Sequence, residues 1–543
     1  MPWTQNYNPL GNSILSTLIA TLPTVLLFYL LAFRRTKAHI AGFSAASAAI
    51  LVAVFMNGMP LPMAVSSFFY GAFFGCLPIS WIFFNGVLLY NLTVKAGQFE
   101  IIKQSVGSIS ADRRLQALLI AFSFGAIIEG GAGFGTPIAI CSALLVGLGF
   151  HPFYAAALCL IANTSPVAFG SLGIPTITLA AVTGLPLMTL SKITGTILPL
   201  TSLVVPLWLV RTMCGWKETR EVLPAIVVAG STFAVTQFTI SNFHGPYLVD
   251  IVGGGISLII TVVFLHFWKP RKIWLFEHER QQASPPEKPA LSGRVIFRAW
   301  LPFLLLTLMV FLWGIPTVNR FLNRFTVSIP VYLLHQNVIK TIPVVPQPIA
   351  EEAIYKFNWL AATGTALLIA VLLSACFFRI RPVEFWRLFW RTFWQLRIPL
   401  LTTPCILGLG FVSRYSGLDS ILGLAFTHTG FLYPFFGTLL GWLGVFLTGS
   451  DTASNALFGN LQKVTATQLG LNPSLMCAAN SCGGVMGKMV DAQSIVIGTA
   501  ATNQVGKEGD ILRFVFWHSI ALASIVGVEV FLFAYLFPWI VPQ

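Results

Sequence analysis

The chain has 543 residues, of which 9% are charged and 56% hydrophobic, and its net charge is +14. An average soluble domain carries roughly 25% charged residues, so this composition excludes a soluble enzyme and a disordered protein. The eight cysteines follow no spacing typical of a secreted disulfide scaffold or of a metal site. The composition therefore predicts an all-α polytopic membrane protein.

Apolar stretches of about 20 residues, the length that crosses a bilayer, recur along the whole chain. Several of them are long or interrupted by glycine, so we expect about 12 to 14 transmembrane helices. The candidate spans are 14–33, 39–56, 64–91, 117–150, 153–184, 190–213, 222–240, 245–268, 299–315, 357–378, 399–417, 427–448, 475–503 and 514–541.

Basic residues between the spans predict the orientation, because Lys and Arg accumulate in cytoplasmic loops. Arg34, Arg35 and Lys37 follow the first span, and 269–298 is a basic, Pro-containing linker. Both segments are predicted to be cytoplasmic, whereas 316–356 has few charges and is predicted to be external. The parity of the spans then places both chain termini outside. The basic residues form no stripe with aromatic residues, so we expect no nucleic-acid partner.

The two halves of the chain share an ordered set of short motifs. Glu129 begins EGGAGFGTP, and Asp451 begins DTASNALFG. After a similar spacing each is followed by an LGxxP turn and then by an AN[ST] element, at Asn163 and Asn480. The loop charges predict that the two copies run in opposite directions. We therefore expect two inverted repeats whose broken helices or re-entrant hairpins meet near the midplane, a transporter pattern.

This duplication predicts four segments. Residues 1–213 form the first repeat with the Glu129 motif, and 299–543 form the second repeat with the Asp451 motif. Residues 214–268 are predicted to be an inserted helix pair, because they have no counterpart in the second half. Residues 269–298 form the cytoplasmic linker.

Glu129 and Asp451 are acids inside apolar stretches, where an ionisable side chain is costly and marks a functional site by default. We predict that they carry protons in coupling, and the alternative is a carboxylate that caps a half-helix or pairs with a base. The glycines after Glu129 weaken a continuous helix. The N–H groups freed at the next half-helix could bind an anion, or the glycines could simply allow close helix packing.

Hydroxyl, amide and glycine residues at the two motifs are the candidate substrate-binding residues. Lys488 could bind a carboxylate or form a structural ion pair with Asp491, three residues later on the same helix face. We find no HExxH, GxSxG or His/Asp constellation, so we expect no enzyme, no catalytic residue, no metal and no cofactor. The candidate substrate-binding residues are Gly131, Gly133, Gly135, Thr136, Asn163, Thr164, Ser165, Ser450, Thr452, Ser454, Asn455, Asn480, Ser481 and Lys488.

Long segments of the chain resemble the L-lactate permease family. They include QNYNPLGN, KAGQFEIIKQSVGSIS, EGGAGFGTPIAI, LLVGLGFHPFYAA, NTSPVAFGSLGIP, GWLGVFLTGSDTASNALF, GGVMGKM and VGKEGDILRF. One departure follows GKM, where Val490-Asp491 stands in place of a Ser-Pro-Gln-Ser type of sequence. It adds a carboxylate beside Lys488.

The resemblance implies a multi-pass plasma-membrane transporter, in the bacterial inner membrane, that imports a small 2-hydroxymonocarboxylate anion. It implies symport of L-lactate, and also of D-lactate and glycolate, with protons by alternating access. Sodium-coupled transport of another small carboxylate and a channel are the alternatives. The expected partners are the anion, protons and the lipid bilayer.

Overall fold

The computed structural model describes residues 2–34, 36–133, 135–276 and 292–542. Of the predicted linker 269–298, residues 277–291 lie outside the described residues. The described helices, in chain order, are α1 (Ser13–Phe28), α2 (Ala38–Phe55), α3 (Leu61–Phe74), α4 (Trp81–Lys95), α5 (Gln98–Gly107), α6 (Arg113–Ala117), α7 (Gly125–Gly131), α8 (Thr136–Gly147), α9 (Pro152–Ala162), α10 (Gly170–Thr183), α11 (Leu187–Cys214), α12 (Trp216–Glu221), α13 (Leu223–Phe243), α14 (Val249–Phe267), α15 (Gly293–Gly314), α16 (Pro316–Asn323), α17 (Thr363–Phe377), α18 (Pro382–Ser416), α19 (Leu418–Phe426), α20 (Tyr433–Thr448), α21 (Asp451–Gln468), α22 (Pro473–Gly487), α23 (Ala492–Ala501) and α24 (Glu508–Tyr535).

Shorter helical turns extend or join these helices. π-Helical turns cover Tyr29–Phe33, Gly75–Ser80 and Leu118–Phe124. The last of these joins α6 to α7, so that Arg113–Gly131 forms one buried apolar segment. Turns of 3₁₀ helix cover Val167–Phe169, Thr427–Leu432 and Pro538–Ile540.

The polytopic α-helical class is confirmed. Among the described residues, 11 helical segments are long and apolar enough to cross a membrane. A bent pair, Pro152–Ala162 with Val167–Thr183, makes an angle of 63° and brings the number to 12. This is the lower end of the expected range, because 475–503 divides into two short helices, α22 and α23, and 357–378 contains only the 15-residue helix α17.

In the described part of the chain, five short strands form a cap at one side of the helices. β1 (Trp3–Thr4) pairs in parallel with β3 (Val338–Lys340), with Trp3 opposite Val338, and β3 pairs antiparallel with β4 (Ile349–Ala350). β2 (Val327–Pro330) pairs antiparallel with β5 (Ile354–Phe357), with Val327 opposite Phe357. The N-terminus and the segment 316–356 therefore lie on the same side of the molecule. That this side is external remains a prediction.

The buried hydrophobic residues form two main clusters. One includes Val167 and draws on α6–α9, α11, α13, α20, α22 and α24. The other includes Ile79 and Leu407 and draws on α2–α4, α10, α17, α18 and α21. Val167, Ile79 and Leu407 all line one cavity, so this cavity lies where the two clusters meet.

Candidate functional site

Four helix breaks meet at a cavity of about 420 Å³. The breaks separate α7 from α8, α9 from α10, α20 from α21, and α22 from α23. Each break supplies residues at or beside it to the cavity wall: Glu129, Gly170, Ser450 and Lys488. Backbone that leaves the helical conformation at membrane depth is tolerated where it is buried or lines a cavity. The cavity also reaches Lys37, at the start of α2.

Glycines at two of these breaks adopt a backbone that other residues rarely take. Gly135 has a φ of +79° directly before α8, and Gly449 has a φ of +74° between α20 and α21. A Cβ on Gly135 would lie 2.6 Å from Ile497 Cδ1, so the α7–α8 break packs tightly on α23. Ser450 then starts α21, because its hydroxyl accepts a hydrogen bond from the Ala453 N–H at 3.2 Å.

The Glu129 carboxyl is buried at the end of α7, where the side chain is 4% exposed. A Cβ on Gly170 would lie 2.5 Å from Glu129 Oε1, so the carboxyl packs against the backbone that begins α10. In the described part of the chain, Glu129 Oε2 has no hydrogen-bond partner. The Asn163 side chain, at the α9–α10 break, is a neighbouring polar group, so packing and one weak polar contact hold this carboxyl.

The Asp451 carboxyl is equally buried, at 3% exposed, but hydrogen bonds hold it. Its Oδ2 accepts a bond from the Ser481 hydroxyl at 2.5 Å and one from Asn455 Nδ2 at 3.4 Å. Asn455 also donates to the Pro175 carbonyl at 3.2 Å, which ties α21 to α10. Among the described residues, Asp451 Oδ1 has no partner, and Asp451 lines the cavity.

A chain of buried side-chain amides continues this hydrogen bonding away from the cavity. Asn480 Nδ2 donates to Asn455 Oδ1 at 2.9 Å, and Gln462 Nε2 donates to Asn480 Oδ1 at 3.1 Å. The Tyr433 hydroxyl donates to Gln462 Oε1 at 2.6 Å. A connected polar network inside a low-dielectric interior fixes one arrangement of its members. We call these residues, with Ser481 and Asp451, the Asp451 network.

Lys488 connects two of the helix breaks. Its Nζ donates to the Gly449 carbonyl at 2.7 Å and lies 3.2 Å from Asp491 Oδ2. Asp491 Oδ1 accepts a bond from the Ser494 N–H at 2.8 Å and so caps α23. The Lys488 charge therefore has a counterion, while the side chain still lines the cavity.

The structure brings some of the predicted residues to the cavity and places others behind it. Ser450, Thr452 and Lys488 line the cavity together with Glu129 and Asp451. The other predicted residues lie outside this lining, in the α7–α8 break (Gly131, Gly133, Gly135, Thr136), in the α9–α10 break (Asn163, Thr164, Ser165), and in or beside the Asp451 network (Ser454, Asn455, Asn480, Ser481).

Sequence reasoning missed several polar residues of the site. Ser171, Thr402, Thr403 and Gln493 line the cavity, and Gln462 belongs to the Asp451 network. A signal existed for Gln462, since it follows Asn455 by two helical turns and so shares its face of α21. No comparable signal marks Thr402 and Thr403, because hydroxyls in an apolar helix usually bond their own backbone, as these two also do.

A comparison with known families identifies the family of the chain. A family model described as L-lactate permease matches residues 16–537. The chain belongs to the L-lactate permease family. This family member is 45% identical to the L-lactate permease of Bacillus subtilis, over 100% of both chains. It is also 45% identical to the glycolate permease GlcA of Escherichia coli, over 98% of both chains.

Among solved structures, this permease-family chain is similar to the YdaH transporter of Alcanivorax borkumensis. The TM-score is 0.45 and the identity 14%, with 87% of this chain and 88% of that chain covered. Family membership and the apolar helices make the chain a multi-pass membrane protein of the transporter class.

Proposed function

We propose that this chain imports L-lactate, and also D-lactate and glycolate, in symport with protons by alternating access across the bacterial inner membrane. The observation that carries the proposal is the cavity where four helix breaks bring Glu129, Asp451 and Lys488 together. A volume of about 420 Å³ holds a small hydroxy acid with several waters, since one water takes about 30 Å³. Relatives named as lactate and glycolate permeases support the substrate class.

The substrate carboxylate would bind at the start of α21. The N–H groups of a first helical turn point away from the helix and favour an anion, and the α21 N-terminus lines the cavity through Ser450 and Thr452. The Lys488 ammonium, on the same wall, would add positive charge. The hydroxyls of Ser450 and Thr452 would hydrogen-bond the 2-hydroxyl of the substrate.

Repulsion between negative charges would couple substrate binding to protonation of an acid in the cavity. Lys488 is already paired with Asp491, so an incoming anion adds a negative charge to a cavity that contains the acids Glu129 and Asp451. Like charges at short range in a low dielectric repel strongly. The anion and an ionised acid therefore exclude one another, and the loaded cavity carries a proton. Release of substrate and proton on the other side returns the acid to its ionised form.

Uptake of labelled L-lactate into proteoliposomes tests this function. For one proton per lactate, an inward gradient of one pH unit should drive about tenfold accumulation, since a tenfold gradient is worth about 1.4 kcal/mol. Glu129→Gln should abolish this accumulation. Glu529→Gln is the matched control, because Glu529 is also buried in a long apolar helix, α24, but does not line this cavity.

Two results would contradict the proposal. Accumulation driven by a sodium gradient alone would identify a sodium-coupled carboxylate transporter. Non-saturable flux without counterflow would identify a channel. An excess of unlabelled D-lactate or glycolate should compete with L-lactate, and a failure to compete would narrow the substrate class.

A further inference from the structure

The first turns of α18 carry a row of tryptophans beside a row of arginines. Trp386, Trp390 and Trp394 follow one another at intervals of four residues and are all exposed. Arg387 and Arg391, each directly after a tryptophan, are exposed as well. Residues four apart share a face of a helix. Tryptophan and arginine on one exposed face are typical of the boundary between the hydrocarbon and the headgroups of a bilayer.

α18 is long enough to reach from the strand cap to the opposite surface of the membrane. Its 35 residues span about 52 Å, whereas the hydrocarbon core is about 30 Å thick. Its last turn lies at the cap, because Gln5, directly after β1, donates to the Tyr415 carbonyl at 2.9 Å. At the other end, the guanidinium of Arg298 lies 5.8 Å from the centre of the Phe377 ring, which ends α17. The first turns of α18 therefore lie on the side of the predicted cytoplasmic linker.

A groove of about 850 Å³ opens between the end of α17 and the start of α18, and we call it the α17–α18 groove. Leu372 and Cys376 line it from α17, and Val383 and Trp386 line it from α18. All of its lining side chains are apolar or aromatic, with the exception of Arg387. The neighbour of an exposed apolar groove on a membrane helix is the acyl region of a lipid.

Positive charge without a counterion surrounds this groove. Residues 379–397 contain five arginines and one acid, Glu384. That acid is already paired with Lys95 of α4, at 3.2 Å. Four of the arginines are exposed and form no ion pair within the described part of the chain: Arg379, Arg381, Arg387 and Arg391. A guanidinium binds a phosphate group through two parallel hydrogen bonds, so the charge beside the groove suits an anionic headgroup.

We propose that the α17–α18 groove binds an anionic phospholipid, with an acyl chain against Leu372, Cys376 and Val383 and the phosphate at Arg387 and Arg391. Charge complementarity selects the lipid, because a zwitterionic headgroup brings its own cation to the arginines and an anionic one does not. Basic and aromatic side chains do alternate here, but beside an apolar groove at the end of a membrane helix, where the neighbour is lipid and not nucleic acid. This groove and the transport cavity have no lining residue in common.

Native mass spectrometry of the delipidated protein in detergent tests the site, because it counts the lipids bound to each molecule. Phosphatidylglycerol and phosphatidylcholine with the same acyl chains are titrated in separate samples, and inorganic phosphate is added to a third sample that contains phosphatidylglycerol. Phosphatidylglycerol should bind about tenfold or more tightly than phosphatidylcholine, and phosphate should not displace it. Arg387→Gln combined with Arg391→Gln should weaken phosphatidylglycerol binding by about tenfold or more, at roughly fivefold for each arginine, and so remove the preference.

Two further pairs of variants separate charge from fit. Arg387→Lys keeps the charge but loses the two-pronged contact with phosphate, so it should weaken binding less than Arg387→Gln. Cys376 is exposed in the groove wall. Cys376→Trp should fill the groove and weaken phosphatidylglycerol binding while all the arginines remain, whereas Cys376→Ser should not.

Arg513→Gln is the matched control, since Arg513 is an exposed arginine in the first turns of another membrane helix, α24, and does not line this groove. It should leave the lipid preference unchanged, and an equal loss in this variant would show general attraction to surface charge instead of a site. Equal affinities of the wild type for the two lipids, or a preference that survives in the double variant, would overturn the proposal. Displacement by inorganic phosphate would identify a phosphate site without a lipid. Undiminished binding to Cys376→Trp would overturn the place of the acyl chain.

Discussion

The two acid-bearing helix breaks have matching sequence motifs but hold their carboxyls in different ways. Asp451 is fixed by Ser481 and by the amides of the Asp451 network. Glu129 packs against Gly170, and its Oε2 has no hydrogen-bond partner among the described residues. A carboxyl that accepts several hydrogen bonds helps to fix the shape of a site, whereas a more weakly held carboxyl can turn more easily. The contrast shows that two matching sequence motifs need not hold their acids in the same way.

The largest expected effect separates the two acids by stability. Asp451→Ala leaves the Ser481 hydroxyl without this acceptor, removes one of the acceptors of Asn455 and opens a small cavity, so it should lower the free energy of unfolding by on the order of 3–5 kcal/mol. Glu129→Gln removes no hydrogen bond from Oε2 and should change it by less than about 1 kcal/mol. Thermal unfolding in detergent measures both variants. Equal losses of unfolding free energy in the two variants would contradict the difference between the two acids.

Glu351, in the strand cap and outside both breaks, provides a carboxyl whose contribution to stability can be compared with those of Asp451 and Glu129. Burial would raise the pKa of Glu351, but its ion pairs with Arg414 and Lys340 lower it from 4.5 to about 2. A lowered folded-state pKa stabilises the protein above the unfolded value of about 4.5, and this stabilisation disappears as the pH falls through about 2.

Glu351→Gln should therefore cost on the order of 2–3 kcal/mol at pH 7. The difference from wild type should shrink as the pH falls from about 4.5 to about 2, because the Glu351 carboxyl of the unfolded chain gains its proton first and the folded one only near the lower pH. Unfolding temperatures of both proteins at pH 7 and at acidic pH check the sign. A difference that stayed constant with pH would show that the ion pairs contribute nothing to stability.

Adding one methyl group beside each acid sharpens the comparison. A Cβ on Gly484 would approach Asp451 Oδ1 within 2.3 Å, and a Cβ on Gly170 would lie 2.5 Å from Glu129 Oε1. The network prevents Asp451 from moving, so Gly484→Ala should reduce lactate uptake by tenfold or more, about 1.4 kcal/mol. Gly170→Ala should reduce it less, because the Glu129 carboxyl can turn aside.

Gly255→Ala is the matched control for both changes, since nothing lies within 4 Å of a Cβ at this helical glycine. Initial uptake rates, normalised to the amount of protein in the vesicles, give the result. A greater loss for Gly170→Ala than for Gly484→Ala would mean that Glu129, not Asp451, is the rigid carboxyl.

The smallest expected effect lies at the far end of the Asp451 network. Tyr433→Phe removes the bond from its hydroxyl to Gln462 and should cost about 1 kcal/mol of stability, with a two- to threefold loss of uptake on the order expected for an indirect contact. Tyr433→Phe and Asp451→Ala can be combined in a double-mutant cycle. Additive losses would show that the network does not transmit the constraint to Asp451.

The membrane class could be predicted from the composition. The two acids could be identified because a charged residue in an apolar stretch is costly and rare. It also indicated the breaks, since the glycines of EGGAGFGTP oppose a continuous helix. The inverted orientation of the motifs and the division into four segments remain predictions. Which of the predicted hydroxyls reach the cavity depends on packing between segments hundreds of residues apart, and a linear pattern does not contain it.

Two further features could not be predicted from the sequence: the position of the buried acid Asp250 in α14, and the strand cap. Asp250 begins an apolar helix beside a polar turn, where an acid is ordinary at a helix start. Only its contact with Gly130 gives it a place near Glu129. The strands of the cap have two to four residues each, too short for an alternating pattern to be recognised.

The pairing of β1 with β3 sets a timetable for assembly. Trp3 has no strand partner until Val338 has been synthesised, which takes roughly 17 to 70 s at the usual 5–20 residues per second. Through that interval the first helices stand in the membrane without the cap that later joins them to the second half. The β1–β3 pair therefore forms late in biogenesis. A truncated chain that ends before Val338 would leave its first strand unpaired.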